Sequence, residues 1–231
     1  MNLLGMFVRR PEPGRTKTRL AATIGDHAAA ELYAAFVDDL LTRCVQLTDV
    51  FHLAATPNDA ATVAWFEPRL TSSTKLLFQP DGDLGERIAW FFESANTSGA
   101  ENVVLIGSDN PDVPSELITT AFRKLEDVDV VIGPATDGGY VLIGMRKPCA
   151  DLFAGIRWSS AWTLHDTVEA ARSQELSVEL LPPWYDIDVV ENLGTLMSLQ
   201  EIATSGAAAC PKTVAVLRKL WPKISQAAEL P

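Results

Sequence analysis

The sequence predicts a single α/β domain with a mainly parallel central sheet and helices on both faces. The length of 231 residues allows one large domain or two small ones, and a hydrophobic content of 47% is typical of a globular protein. Short apolar segments alternate along the chain with longer segments of helical periodicity. This alternation favours a parallel sheet covered on both sides. The sequence shows no internal repeat and no linker, so we expect one domain over residues 1–231.

The expected strands are short apolar runs bounded by turn-forming residues. In chain order they cover residues 3–8, 49–55, 75–78, 102–106, 128–132, 140–145 and 177–181. The strand at 140–145 is reached through the turn Asp137-Gly138-Gly139.

The expected helices lie between and after these strands. In chain order they cover residues 25–47, 58–66, 83–97, 114–125, 190–204 and 211–223, with a loop that leads into a further helix within 158–172. In the first helix, Leu32, Phe36 and Leu40 recur every four residues, which is the spacing of a buried helical face. The third begins with a capping-box pair, Asp83 and Glu86.

The charge and the residue content argue against several classes of protein. Lys and Arg total 19 against 30 Asp and Glu, a net charge of −11, which disfavours nucleic acid and anionic membranes as partners. No apolar run reaches the roughly 18 residues of a membrane span, and the first residues lack the pattern of a signal peptide, so we expect a cytoplasmic protein. The 3 cysteines and 3 histidines are widely spaced, which disfavours structural zinc and disulfides.

Residues 9–19 form a basic segment directly after the first strand. Its five cations are Arg9, Arg10, Arg15, Lys17 and Arg19. The rest of the chain contains 14 basic and 29 acidic residues. Because ligands of open α/β sheets bind at the carboxyl ends of strands, this Pro- and Gly-containing loop is a candidate polyphosphate site. The alternative is a solvated basic turn. The absence of GxxxxGK[ST] argues against a P-loop enzyme.

Acidic residues follow two later segments. Asp109 comes just after the strand at 102–106, where a carboxylate can hold a Mg²⁺ or Mn²⁺ ion that bridges a diphosphate. An Asx-turn that ends the strand is the alternative. Asp186 and Asp188 project to one side of an extended segment and could complete the metal site, although Asp188 could instead be the N-cap of the next helix.

Three further segments are candidates for ligand binding. Asp137 could orient or deprotonate an acceptor hydroxyl, and Gly138 and Gly139 allow close approach to the backbone, yet Asp-Gly is also typical of a tight hairpin. The loop at 79–87 leads into a helix N-terminus suited to a base or a phosphate, or is a capped loop without a ligand. Trp158 could line an acceptor pocket or pack in the core.

Several of these segments resemble the motifs of one family. Residues 7–20 fit F-x-K-x-P-x-P-G-x-x-K-T-R-L, residues 82–87 fit G-D-L-G-x-R, residues 107–111 fit G-S-D-x-P, and residues 133–140 fit G-P-A-x-D-G-G-Y. With Trp158-Ser159 and Asp186-Ile187-Asp188, the chain resembles the DUF2064 family over about residues 3–200, and some members of that family are described as arsenosugar-biosynthesis-type glycosyltransferases. Arg9 stands where the family commonly has Lys, and Val189 where Thr often follows D-I-D. The opening also resembles 2-phospho-lactate and molybdenum-cofactor guanylyltransferases.

The resemblance implies a glycosyltransferase A fold, a nucleotide donor and a divalent metal, Mg²⁺ or Mn²⁺. Together with the patterns above, it gives as expected nucleotide-binding residues Arg9, Arg15, Lys17, Arg19, Gln79 and Gly85. The expected metal ligands are Asp109, Asp186 and Asp188, and the expected catalytic residues are Asp109, Asp137 and Lys17. The expected acceptor-side residues are Gly138, Gly139, Tyr140 and Trp158.

The leading hypothesis is a metal-dependent glycosyltransferase that moves a sugar from a nucleotide diphospho-sugar to a small acceptor. The metal, Lys17 and Arg19 would offset charge on the leaving diphosphate. A second hypothesis is a nucleotidyltransferase that transfers NMP from an NTP to a phosphorylated small molecule and releases pyrophosphate. A third is a non-catalytic nucleotide-binding regulator. Fold alone does not distinguish these functions.

Overall fold

The computed structural model describes residues 1–202 and 209–228. The strands are β1 (Asn2–Arg9), β2 (Val50–Thr56), β3 (Thr74–Phe78), β4 (Asn102–Ile106), β5 (Val130–Pro134), β6 (Tyr140–Met145) and β7 (Val178–Leu180). The helices are α1 (Thr18–Ile24), α2 (Asp26–Cys44), α3 (Ala60–Phe66), α4 (Leu84–Thr97), α5 (Ser115–Lys124), α6 (Thr163–Ser173), α7 (Val190–Ile202) and α8 (Pro211–Ala228). Short 3-10 helices cover Glu67–Arg69 and Ala150–Phe153.

The seven strands form one sheet in the order β3-β2-β1-β4-β6-β5-β7. Strands β1 to β4 pair in parallel, β6 is antiparallel to both β4 and β5, and β7 is parallel to β5. The carboxyl ends of the parallel strands and the amino end of β6 therefore lie at one edge of the sheet. The segments that follow β1, β3, β4, β5 and β7 are thus brought to the same edge, which is where such sheets bind ligands.

The sheet is covered by two hydrophobic clusters, one on each face. Along β1, Leu4, Met6 and Val8 contribute to one cluster and Leu3 to the other, as expected from the alternation of strand side chains. Helices α1, α2, α3, α5, α7 and α8 contribute to the first cluster. Helices α4 and α6 contribute to the second. The expected α/β fold, with a mainly parallel sheet and helices on both faces, is confirmed.

The helices differ from the sequence-based expectation near both ends of the chain. Helix α1 begins inside the basic segment and was not expected. It has only 7 residues, too few for a clear helical pattern, and Gly25, with φ of 89°, separates it from α2. Helix α8 continues past Pro222 to Ala228. The expected end of α7 at residue 204 lies outside the described residues, as do 203–208 and 229–231 of the expected domain. No helix of the described ranges is long and apolar enough to cross a membrane.

Candidate functional site

The basic segment and the strand ends enclose a cavity of about 410 Å³ at the carboxyl edge of the sheet, called here the basic cavity. The expected residues on its wall are Arg9, Arg15, Lys17, Arg19, Gln79, Asp109 and Asp188. The structure therefore brings the basic residues of the N-terminal loop together with two acids that lie far away in the sequence.

The basic segment is folded by its own hydrogen bonds. The backbone N–H of Glu12 donates to Thr16 Oγ1 at 3.0 Å, and the N–H of Arg15 donates to the carbonyl of Glu12 at 3.1 Å. Arg10 turns away from the cavity, because its guanidinium donates to Thr62 Oγ1 at 3.2 Å. Arg9 and Arg19 form no salt bridge with any described residue, so their charges remain available to an anion in the cavity.

Lys17 lies between two of the acids. Its Nζ is 2.7 Å from Asp109 Oδ1 and 2.8 Å from Asp188 Oδ1, and its side chain is only 5% exposed. Its backbone is left-handed, with φ of 50°, a conformation that a residue with a side chain adopts at some cost. Burial lowers the pKa of Lys17, but the charges of Asp109 and Asp188 and their hydrogen bonds raise it by more, so the ammonium stays charged.

Asp186 is a partly buried carboxylate at this edge. Burial raises its pKa to about 6, the hydrogen bond from Asn110 opposes this shift, and the charges of Asp109, Asp137 and Asp188 add to it. Asn110 Nδ2 lies 3.0 Å from Asp186 Oδ1 and 2.6 Å from the carbonyl of Tyr185, so it holds the segment 185–186 against the end of β4. Four carboxylates thus lie at this edge, and only two of them contact the ammonium of Lys17, so the acidic side of the site has an excess of negative charge.

This excess fits a divalent cation, which prefers carboxylate oxygens. In residues 1–202 and 209–228, however, no three His, Cys, Asp or Glu side chains are close enough together to form a ready-made metal site. The expected ligands Asp109 and Asp188 are instead bridged by Lys17. Among the described residues, no backbone N–H donates to the carboxylate of Asp188, whose Oδ1 accepts from Lys17 Nζ instead, so Asp188 is not an N-cap. The N–H groups of Asp188 and Val189 donate to Asn192 Oδ1.

A second cavity, called here the acidic cavity, has a volume of about 390 Å³ and adjoins the first. The expected residues on its wall are Asp109, Asp137, Gly139, Tyr140, Trp158, Asp186 and Asp188. Asp137 lies in the turn between β5 and β6, where its Oδ1 accepts from the N–H of Gly139 at 2.9 Å, so it both forms the hairpin and faces the cavity. A smaller cavity of about 260 Å³, mostly apolar, lies between β4, β6 and α4. Asp109 borders all three.

Two expected residues do not reach a cavity wall. A Cβ on Gly85 would lie 2.8 Å from the carbonyl oxygen of Phe153 and from Trp158 Nε1, so Gly85 allows close packing beneath the site. A Cβ on Gly138 would lie 2.5 Å from the carbonyl oxygen of Ala161, and φ of 95° already favours glycine there. Their neighbours Leu84 and Gly139 face the cavities in their place.

Sequence reasoning did not single out Tyr33 and Ser108, which lie on the wall of the basic cavity. Tyr33 belongs to the buried face of α2, where an aromatic residue is the expected core residue. Ser108 directly precedes Asp109 within the G-S-D-x-P motif, and this position was the one feature of the sequence that indicated a place in the site. Burial and the nearby charge of Asp109 raise the pKa of Tyr33, so its phenol stays protonated.

Comparisons with known proteins agree with this arrangement. The family model described as an uncharacterized protein conserved in bacteria (DUF2064) matches residues 40–160. A protein from Desulfovibrio desulfuricans G20, described as a candidate nucleotide-diphospho-sugar transferase, is 39% identical, with 98% of this chain and 97% of that chain covered at a TM-score of 0.90. No protein of curated function matches the chain.

More distant structures share the fold. A cytidylyltransferase from Leptospira borgpetersenii serovar Hardjo-bovis is 14% identical, with 96% of each chain covered at a TM-score of 0.53. The inositol-1-phosphate CTP transferase of T. maritima is also 14% identical, with 97% of this chain and 96% of that chain covered at a TM-score of 0.53.

The fold and the charged edge define a transferase with the fold shared by nucleotidyl and sugar transferases. The chain belongs to the DUF2064 family. The family expected from the sequence and the expectation of a transferase are therefore confirmed.

Proposed function

We propose that the protein is a metal-dependent glycosyltransferase, which moves a sugar from a nucleotide diphospho-sugar to a small acceptor. The observation that carries this proposal is the position of Lys17, whose Nζ bridges Asp109 and Asp188 where the basic and acidic cavities meet. The 39% identical relative, described as a candidate transferase of this class, supports it over almost the whole chain.

The basic cavity suits the diphosphate of the donor. Arg15, Lys17 and Arg19 border it, and guanidinium groups bind phosphate oxygens through paired hydrogen bonds. Gln79 lies at the far side, where its Nε2 donates to the carbonyl of Ala54 at 2.7 Å and leaves its amide oxygen available to a nucleoside. The nucleoside would then lie on the ends of β1 to β3, and the phosphates against the loop.

The acidic cavity suits the metal and the acceptor. Asp109, Asp186 and Asp188 would hold Mg²⁺ or Mn²⁺, because their negative charge exceeds that of Lys17 and Asp186 already has a raised pKa in the protein alone. When bound, such an ion stabilises negative charge on a leaving diphosphate. Lys17, on the wall of the basic cavity, would contact the phosphates of the donor.

Asp137 is the proposed acceptor-side base. An acceptor hydroxyl in the acidic cavity would attack the anomeric carbon of the sugar, and the bond from that carbon to the diphosphate oxygen would break. The bonding electron pair would leave with the diphosphate, whose charge Lys17 and Arg19 offset. The hydroxyl proton would pass to the exposed carboxylate of Asp137, which borders this cavity.

The products of parallel incubations test the reaction class. The protein is incubated with Mn²⁺, a small alcohol or sugar acceptor and UDP-, GDP- or CDP-linked sugars, and separately with the corresponding triphosphates. Release of nucleoside diphosphate together with a glycosylated acceptor supports the proposal. Release of pyrophosphate from a triphosphate instead supports nucleotidyl transfer and refutes it.

A metal-binding variant tests the metal assignment. Asp109→Asn is expected to remove the dependence of nucleotide binding on Mn²⁺, whereas Asp127→Asn, at an exposed position after α5, is the matched control. Mn²⁺-dependent nucleotide binding that is unchanged in Asp109→Asn would show that Asp109 is not a metal ligand.

Nucleotidyl transfer is the second candidate, and one observation favours it. The solved structures that share the fold include cytidylyltransferases that this chain covers over almost its full length. In that reaction the triphosphate would lie along the basic segment, whose charge suits three phosphates, and the phosphorylated acceptor would lie in the acidic cavity.

A further inference from the structure

Two buried hydroxyl groups meet on the wall of the basic cavity. Tyr33 Oη, from α2, lies 2.6 Å from Ser108 Oγ, at the end of β4. The backbone N–H of Arg9 donates to Tyr33 Oη at 3.2 Å. Tyr33 is 3% exposed and Ser108 is 5% exposed, yet both border the cavity.

The two hydroxyl groups carry two protons, and the hydrogen bond between them uses one. Either hydroxyl could donate in this contact, and because Tyr33 Oη already accepts from the N–H of Arg9, we assign the shared proton to Tyr33. In the part of the chain that the structure describes, Ser108 Oγ has no other hydrogen-bond partner. Its own proton is therefore left over, and a buried donor without an acceptor is unfavourable. An oxygen atom of a ligand in the cavity would satisfy it.

The neighbouring charge selects the kind of oxygen. Ser108 directly precedes Asp109, whose Oδ1 contacts Lys17 while its Oδ2 has no hydrogen-bond donor among the described residues. A phosphate oxygen can only accept, and its charge would be repelled by this carboxylate. A sugar hydroxyl is neutral, and it can accept from Ser108 and donate to Asp109 at once.

We propose that the Tyr33–Ser108 pair binds a ribose hydroxyl of the nucleotide donor, with Ser108 Oγ as the contacting atom and Tyr33 as its positioning residue. This assignment rests on the proposed nucleotide donor and adds a contact that recognises one hydroxyl of its ribose. It also separates the two parts of the donor, with the ribose on the strand ends and the phosphates on the basic segment.

Binding of matched nucleotides tests the pair. GDP, UDP and CDP are titrated into the protein by calorimetry with Mn²⁺, and the tightest is compared with its 2′-deoxy and 3′-deoxy analogues. Ser108→Ala is expected to weaken binding of the ribonucleotide by about 3- to 10-fold, the loss of one hydrogen bond. For the analogue that lacks the contacted hydroxyl, Ser108→Ala should weaken binding by less than about 2-fold.

Two further variants complete the experiment. Tyr33→Phe keeps the serine and removes only the hydroxyl that orients it. Binding of the ribonucleotide is therefore expected to weaken by about 2- to 3-fold, and binding of the analogue that lacks the contacted hydroxyl is expected to stay unchanged. This variant also tests the pair if Ser108→Ala does not fold. Ser173→Ala is the control, because that hydroxyl donates to the carbonyl of Ala170 on the exposed side of α6.

The outcomes separate this inference from the proposed function. A loss in Ser108→Ala that is equal for the ribonucleotide and both deoxy analogues, or no loss at all, overturns the ribose contact while nucleotide binding stands. Wild-type protein that binds none of the nucleotides overturns both. A loss confined to nucleotides that carry the hydroxyl supports the assignment.

Discussion

Replacing Lys17 with methionine is expected to strengthen binding of Mn²⁺ in the absence of nucleotide. The ammonium contacts one oxygen of Asp109 at 2.7 Å and one of Asp188 at 2.8 Å, and both residues are proposed metal ligands. A cation that enters this site must displace Lys17 or share its ligands. Methionine has a similar length and no charge, so Lys17→Met removes the competition and leaves the carboxylates available.

The size of the effect follows from the exposure of the partners. A protected hydrogen bond to a charged group contributes about 1.5–3 kcal/mol, and an exposed ion pair about 0–1 kcal/mol. Lys17 is 5% exposed, whereas Asp109 and Asp188 are 46% and 41% exposed, so about 1 kcal/mol per contact is appropriate. The total of about 2 kcal/mol corresponds to about 30-fold tighter binding of Mn²⁺.

The assay is a titration with Mn²⁺ that follows free ion by electron paramagnetic resonance, without nucleotide. Lys124→Met is the matched control, because Lys124 Nζ also lies 2.7 Å from a carboxylate, that of Glu179, at a distance from the site. The control should bind Mn²⁺ like the wild type. The reasoning is refuted if Lys17→Met binds Mn²⁺ no more tightly than the wild type while both melt at similar temperatures.

Three further predictions concern stability without metal. Asp186→Asn should stabilise the protein at pH 7 by up to about 3 kcal/mol, because the pKa of Asp186 is raised to about 6 in the folded state and the ionised carboxylate is therefore unfavourable there. The free energy of unfolding of the wild type should fall between about pH 4 and 6 and stay low above that range. Chemical denaturation at several pH values should detect this fall in the wild type and not in the variant. Gly138→Ala should destabilise by about 2 kcal/mol or more, since its Cβ would contact the backbone of Ala161 at a positive φ; an unchanged melting temperature would contradict this. Asp39→Ala should cost about 1–2 kcal/mol in urea unfolding, because its carboxylate accepts from the N–H of Thr213 at 2.8 Å at the start of α8, and an unchanged urea midpoint would show that this contact is not stabilising.

The sequence predicted the parts of the molecule that depend on local patterns. The capping box is one example: Asp83 Oδ1 accepts from the N–H of Glu86 at 2.9 Å, and Glu86 accepts from the N–H of Asp83 at 2.8 Å. The shared edge of the site was also predictable, because the expected order of strands and helices places strand ends together. That rule sufficed to bring the basic segment near Asp109.

The contacts within the site were less predictable, because they depend on residues far apart in the sequence. Lys17 was expected to bind phosphate, and nothing in its neighbourhood indicates an ion pair with Asp188, which is 171 positions away. Gly85 and Gly138 were expected near ligands because glycine permits close approach. In both cases the close neighbour is the protein itself, a distinction that only the packing of residues 153–161 reveals.

The reversed direction of β6 has a consequence for how substrate preference could diversify. Because β6 alone runs against its neighbours, the five-residue hairpin 135–139 enters the acidic cavity from the β5 side, on a different segment from the basic loop. The hairpin can change in length or sequence without altering the residues that would bind the phosphates. Under the proposed function, exchanging this hairpin between relatives is expected to change which acceptor is used and to leave the donor unchanged.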